Sequence, residues 1–195
     1  MNEKTPSLAA RRFWSRCLSG TTTFMDYVTI RYVDGAPFPE YTPPPPAQPQ
    51  TVNVSTVTLS QGKIVSGGAA NLKTSDNSYL VLQPATRTKP VQVVFDGSTT
   101  TAPSALSYVM EAGVTQVNIS VAIELFNFKT NSYEKIVNGS ASIGDVHYGT
   151  TLSGDVTRFI NSGTNALRAR VTFTPGTGTP NWKASIDQFN WYVTP

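Results

Sequence analysis

The sequence predicts an all-β chain whose main body, residues 51–195, is a two-sheet antiparallel sandwich of the jelly-roll or immunoglobulin-like kind. Three observations carry that expectation. Apolar residues alternate with polar ones at a period of two. Short clusters of Gly, Asn, Asp and Ser punctuate the runs. Charged residues make up only 14% of the chain, against about 25% in an average protein, while Thr, Ser, Asn and Gly are abundant.

The clearest alternation sets Val117, Ile119, Val121, Ile123 and Leu125 against Asn118, Ser120, Ala122 and Glu124, which describes a long strand with one buried face. At its end the phase changes: Phe126 and Phe128 fall on the Glu124 side and Asn127 takes a core-side position. A bulge or a covered outer face would account for this. Val91, Val93 and Phe95 repeat the pattern, as do Leu106, Tyr108 and Met110, and Leu167, Ala169, Val171 and Phe173. Turn chemistry is read at Ser66-Gly67-Gly68, Asp76-Asn77-Ser78, Asp96-Gly97-Ser98, Asn138-Gly139-Ser140, Ser162-Gly163-Thr164 and Pro175-Gly176-Thr177-Gly178. Strands with one apolar face each need a second sheet to cover them, so two packed sheets are expected, with a closed barrel as the alternative.

Ahead of the body, residues 1–36 read as a segment that is not an independent domain. Residues 37–50 read as a linker, whose text PFPEYTPPPPAQP has too few backbone donors for a sheet interior and favours polyproline II. A spacer is the expected role, an SH3 or WW ligand the competing one. The single cysteine, Cys17, excludes an intrachain disulfide, so the fold stands on packing. No run of about 18 apolar residues occurs, and no membrane insertion is expected. Met1–Gly20 has arginines but no apolar stretch behind them, so no signal peptide is read there. An exported protein would carry its signal upstream or use another route. The net charge of +3 and pI near 9.0 come from scattered cations, with only Arg11, Arg12 and Arg16 clustered, and no nucleic-acid partner is expected.

Four strings in the body, Val65-Ser66-Gly67, Ser75-Asp76-Asn77-Ser78-Tyr79, Ile123-Glu124-Leu125-Phe126-Asn127, and Ile186-Asp187 followed by Trp191, occur in an order that resembles a C-terminal β-sandwich accessory domain of large bacterial secreted or surface proteins. The resemblance implies an accessory module without catalytic residues, located outside the cell or on its surface. A shorter string, Asp26-Tyr27-Val28-Thr29-Ile30-Arg31-Tyr32, is similar to a strand of bacterial β-propeller repeats. One strand cannot form a blade, so that likeness implies the remnant of a longer protein, with an ordinary β-rich string as the alternative.

Carbohydrate-binding sandwiches present aromatic rings to the apolar faces of sugars and place polar side chains at the hydroxyls. The candidates are Trp182, Tyr148, Tyr133 and Tyr192. Trp182 follows the loop Pro175–Pro180 and Asn181, where a ring could project from a rim. Packing beneath that loop is the competing reading, as ordinary strand packing is for the tyrosines. Trp191 shares a strand face with Phe189 and Val193 and reads as core. Asp187, with Asp76 as a distant partner, is the candidate pair for a structural calcium ion, and no other cofactor is expected.

For catalysis the text is poor. His147 is the single histidine, and neither a Gly-x-Ser-x-Gly, a His-Glu-x-x-His nor a phosphate-loop pattern occurs. Asp145 and His147 lack a placed nucleophile, and Glu111, Glu124 and Glu134 are the carboxylates from which a glycosidase pair would be drawn. The expected function is a non-enzymatic, extracellular module that binds a polysaccharide or glycan. A structural or adhesive module with a protein partner is the first alternative and a small glycoside hydrolase the second.

Overall fold

The structure is a computed structural model that describes residues 48–195 together with Pro43 and Pro45. The propeller-like string, the arginine cluster and most of the proline-rich tract lie outside the described residues. The strands are β1 (Gln50–Asn53), β2 (Thr56–Gln61), β3 (Lys63–Ser66), β4 (Leu80–Gln83), β5 (Val91–Ser98), β6 (Ala105–Val114), β7 (Ile119–Asn127), β8 (Ser132–Ser140), β9 (Val146–Thr151), β10 (Ala166–Pro175) and β11 (Ala184–Thr194).

They form two antiparallel sheets. The first runs β3-β4-β11-β6-β9, with β1 also paired to β11, and the second runs β2-β5-β10-β7-β8. Only β3–β4 and β7–β8 are successive strands paired with each other. Every other connection passes from one sheet to the other, which is the winding of a jelly roll. The expected sandwich is present.

Alternation explains which face of each strand meets the core. Val91, Val93 and Phe95 of β5, Leu167, Ala169, Val171 and Phe173 of β10, and Ile119, Val121, Ile123 and Leu125 of β7 are all buried. From the other sheet they meet Leu106, Tyr108 and Met110 of β6 and Ile186, Phe189, Trp191 and Val193 of β11. At the centre the Phe189 ring lies 4.9 Å from Phe95, 4.9 Å from Trp191 and 6.0 Å from Tyr108. Trp191 is core, as expected.

That packing depends on an inward-facing residue with no side chain. A Cβ on Gly97 would stand 2.8 Å from Cζ3 of Trp191 and 3.0 Å from the Asn53 carbonyl, so the glycine leaves the notch into which the indole fits. Asp96-Gly97-Ser98 is therefore the end of β5 and not the expected turn, and Asn138-Gly139-Ser140 likewise closes β8. Turn-forming residue types marked these places, but cross-strand pairing with β10 and with β7 holds them extended.

The long strand also starts later than its alternation implies. Val117 is 67% exposed, because Asn118 adopts a left-handed backbone at φ 63° and breaks the period. Asn118 instead ties the start of β7 to the loop after β10: its carbonyl accepts from Gly176 N–H at 2.7 Å and its side chain donates to the Thr177 carbonyl at 3.2 Å. At the far end Asn127 is buried and satisfied by the turn that follows. Its Oδ1 accepts from the N–H groups of Lys129 at 2.8 Å and Thr130 at 3.1 Å, and its Nδ2 donates to Glu134. The change of phase thus needs no bulge in β7; the register irregularity lies opposite, in β8.

Replacing Gly97 with alanine should destabilise the fold by about 1–3 kcal/mol, the usual cost of adding a methyl group to a filled core. The urea midpoint would measure it, and an unchanged midpoint would show that the notch is not filled.

Candidate functional site

The solvent side of the second sheet carries a cross-strand row. Asp96 on β5 pairs with Arg168 on β10, and Phe126 on β7 pairs with Tyr133 on β8. The Arg168 guanidinium carbon lies 5.9 Å from the Phe126 ring centroid, which joins the two pairs. Three strand intervals at about 4.8 Å make the row about 14 Å long. Beside it run Arg170 and Glu124, which are cross-strand partners. All of these residues occupy outward positions because their neighbours Ala169, Val171, Leu125 and Ile123 take the inward ones.

Ion pairs hold the polar members. Arg168 Nε donates to Asp96 Oδ1 at 2.6 Å and Arg170 Nε to Glu124 Oε2 at 2.6 Å. These bonds push both guanidinium pKa values further up. The aromatic members form a chain, with Phe128 to Phe126 at 5.0 Å and Phe126 to Tyr133 at 5.0 Å, both edge to face. Arg170 covers part of Tyr133 at 3.9 Å from its centroid. Burial raises the Tyr133 phenol above its ordinary value against the opposing pull of Arg168 and Arg170. A shallow groove lined by Phe128, Lys129, Thr157, Ile160, Asn161 and Ser162 continues past the end of the ring chain.

The four aromatic candidates do not converge. Tyr133 is on this face. Trp182 is a correction: it is 2% exposed, and its Nε1 donates to the Arg87 carbonyl at 3.1 Å. The ring is a plug beneath the β4–β5 connection and has no free face for a sugar. Tyr148 turns inward from β9 and packs against the core. Tyr192 lies on the outer side of the other sheet, between Thr51 and Ser107. Phe126, Phe128, Arg168 and Arg170 were missed as site residues. The alternation of Arg168 and Arg170 with buried Ala169 and Val171 is the signal that would have placed the two arginines on one outer face.

The carboxylates are distributed differently from the expectation too. Asp76 closes a local turn, with Oδ1 accepting from Ser78 N–H at 3.0 Å and Oδ2 from Thr74 Oγ1 at 3.1 Å, so it is not the partner of Asp187. Asp187 instead meets Glu111 and Asp145, with one carboxylate oxygen from each lying within 4.8 Å of the others. Tyr79 donates to Asp145 Oδ2 at 2.6 Å. That bond is the main reason its phenol is pushed up to about 12. His147 stands 3.6 Å from Glu111 Oε1 and is 67% exposed at its side chain.

No protein-family model matches the chain, and no curated protein matches it. Solved structures with a similar fold include carbohydrate-binding modules. TmCBM61 in complex with β-1,4-galactotriose shares 10% identity at a TM-score of 0.45, covering 72% of this chain and 90% of that one. A CBM29-2 mutant complexed with cellulohexaose shares 13% at a TM-score of 0.40, covering 72% and 94%. The enzymatically active domain of tailspike protein 4 of bacteriophage CBA120 shares 15% at a TM-score of 0.46, covering 71% of this chain but only 19% of that one. These likenesses are too loose to carry a function to this chain.

Of the phenols raised in the folded protein, two are pushed furthest: Tyr79 through its bond to Asp145, and Tyr108 through burial, both up to about 12 from 10.0. The unfolded chain releases those protons from pH 10 upward while the folded chain keeps them. Stability should therefore be insensitive to these groups below pH 10 and fall between pH 10 and 12. Urea midpoints at pH 9, 10 and 11 would show it, with a shallower fall in Tyr79→Phe; a flat profile would contradict the assignment.

Proposed function

We propose that this chain is a non-catalytic, extracellular module that binds a polysaccharide or glycan on the solvent side of the β2-β5-β10-β7-β8 sheet. One observation carries the reading: the chain of three partly buried rings, Phe128, Phe126 and Tyr133, bordered by guanidinium and carboxylate groups already fixed by ion pairs. Rings offer apolar area to the C–H faces of sugars. The ion pairs engage Nε of Arg168 and of Arg170, leaving their terminal nitrogens as donors for hydroxyls. A row of about 14 Å running across the strands suits a short stretch of linear glycan.

The carboxylates of this face support binding over hydrolysis. A glycosidase needs two carboxyl groups free to reach the scissile bond from either side. Glu124 and Asp96 each pair with an arginine instead. Although desolvation alone would raise Glu134, hydrogen bonds from Asn127 and Arg158 pull it below its ordinary value. Placement outside the cell follows from the resemblance of the four body strings to bacterial secreted and surface proteins.

Affinity electrophoresis and a glycan array with the full chain test the proposal. Tyr133→Ala and Phe126→Ala should each weaken binding about tenfold or more while leaving the fold intact. Trp182→Ala should lower stability by about 3–5 kcal/mol, as expected for a buried tryptophan, and so act through unfolding. Failure to retain any glycan, or retention unaffected by both face substitutions, would sink the proposal.

A further inference from the structure

On the opposite sheet, three carboxylates are gathered from different parts of the chain. Asp187 is the extra residue at a register shift in β11 between Ile186 and Gln188, and a bulge there turns its side chain out of the core alternation. Glu111 sits on β6, opposite Gln188. Asp145 comes from the segment leading into β9, which crosses so close to β6 that a Cβ on Gly113 would collide with the Gly144 carbonyl. The approach of Asp145 therefore requires glycine at 113.

These groups are poorly compensated. Asp187 is 1% exposed. Its Oδ2 accepts from Asn77 N–H at 3.1 Å, but its Oδ1 is buried with no hydrogen-bond partner, as is Oε2 of Glu111. Among the described residues, His147 is the one basic side chain in ion-pair contact with any of the three. A buried carboxylate oxygen without donor or counterion is costly, and three carboxylates in one place repel. Arginine pairing, used throughout the other face, does not reach this one.

We propose that Glu111, Asp145 and Asp187 bind a calcium ion. The set is all oxygen, the donor type of hard cations, and His147 lies outside it, which disfavours zinc. Calcium takes about six to eight oxygens in a flexible geometry, which suits carboxylates brought in from three separate segments, whereas magnesium demands a near-ideal octahedron and keeps several of its waters. The unpartnered Oδ1 of Asp187 and Oε2 of Glu111 are the first ligands, and Asp145 is the third. Asn77 Oδ1, 2.9 Å from the Tyr79 hydroxyl that donates to Asp145, is a further oxygen on this side of the cluster, with water completing the shell. Bound there, calcium would tie β11, β6 and the approaches to β4 and β9 together. The site is on the sheet that does not carry the proposed glycan face, and its existence does not depend on that reading.

The test is calcium titration of the full, chelator-treated chain, followed by calorimetry, thermal unfolding and tyrosine-sensitised terbium emission. A dissociation constant of about 10⁻⁴ to 10⁻³ M is expected, the range of extracellular modules. At a calcium concentration about a hundredfold above that constant, the midpoint of unfolding should rise by about 5–10 °C. Terbium emission should be displaced by calcium and should fall in Tyr79→Phe, which keeps all three carboxylates and so keeps calcium binding. Asp187→Asn should lose the calcium response, and the exposed Asp145→Asn, which does not disturb a buried group, should weaken it at least about tenfold. No binding at 10 mM calcium, a response to magnesium alone, or equal binding by Asp145→Asn and the unaltered chain would each overturn the assignment. Glycan retention by the same variants should be unchanged.

Discussion

Two sheets stay in one relative position only if something locks their inner faces, and here that lock is the insertion of Trp191 into the notch at Gly97. An indole buries a large apolar area but tolerates little misplacement, so its fit sets the spacing between β11 and β5. Strand β11 carries this ring and also pairs with β4, β1 and β6. Displacing it would disturb the first sheet and its contact with the second together. The outward positions of both sheets inherit their geometry from this contact.

The two outer faces solve the problem of charge in different ways. On the second sheet, period-two alternation places Arg168 and Arg170 beside acidic partners on adjacent strands, so each charge finds its counterion through register alone. Pairs of this kind are partly exposed, and their value lies less in stability than in fixing where a guanidinium stands. On the first sheet a bulge and a crossing loop bring like charges together, and register sets only His147 opposite Glu111, with no arginine or lysine. Where the strand pattern is regular the electrostatics close on themselves; where it is broken they are left open.

This contrast explains what was legible in the sequence. The sandwich, the core strands and the burial of Trp191 follow from alternation, a local property. Gly97 misled because glycine marks a turn and a close approach equally well, and Gly139, where a Cβ would meet open space, is held extended by its pairing with Val121 of β7. Tyr133 was visible as a ring on a strand, but its companions depended on which strands become neighbours, β7 beside β10, a pairing with no signature in either segment alone. Asp187 was read from the sequence as a calcium candidate with Asp76 as its distant partner, whereas the carboxylates beside it are Glu111 and Asp145. Its companions at 111 and 145 could not be read, since they arrive through a bulge and a loop crossing. The strings Ser75–Tyr79 and Ile186–Trp191, noted for their order, meet in space: Asn77 from one bonds Asp187 from the other.

The arrangement of the proposed glycan face also bears on how binding there would be driven. A flexible arginine loses rotamer freedom when it grips a ligand, a cost of about 0.5–1.5 kcal/mol for each immobilised side chain. Here Asp96 and Glu124 already hold the guanidiniums against Phe126 and Tyr133, so that loss is taken on folding and not on association. The rings brace one another edge to face in the same way. A surface so fixed gains little affinity from adapting its shape. Its selectivity would come from which hydroxyl pattern matches donors and acceptors set by strand spacing, and it would favour extended chains lying across the strands over branched or compact glycans.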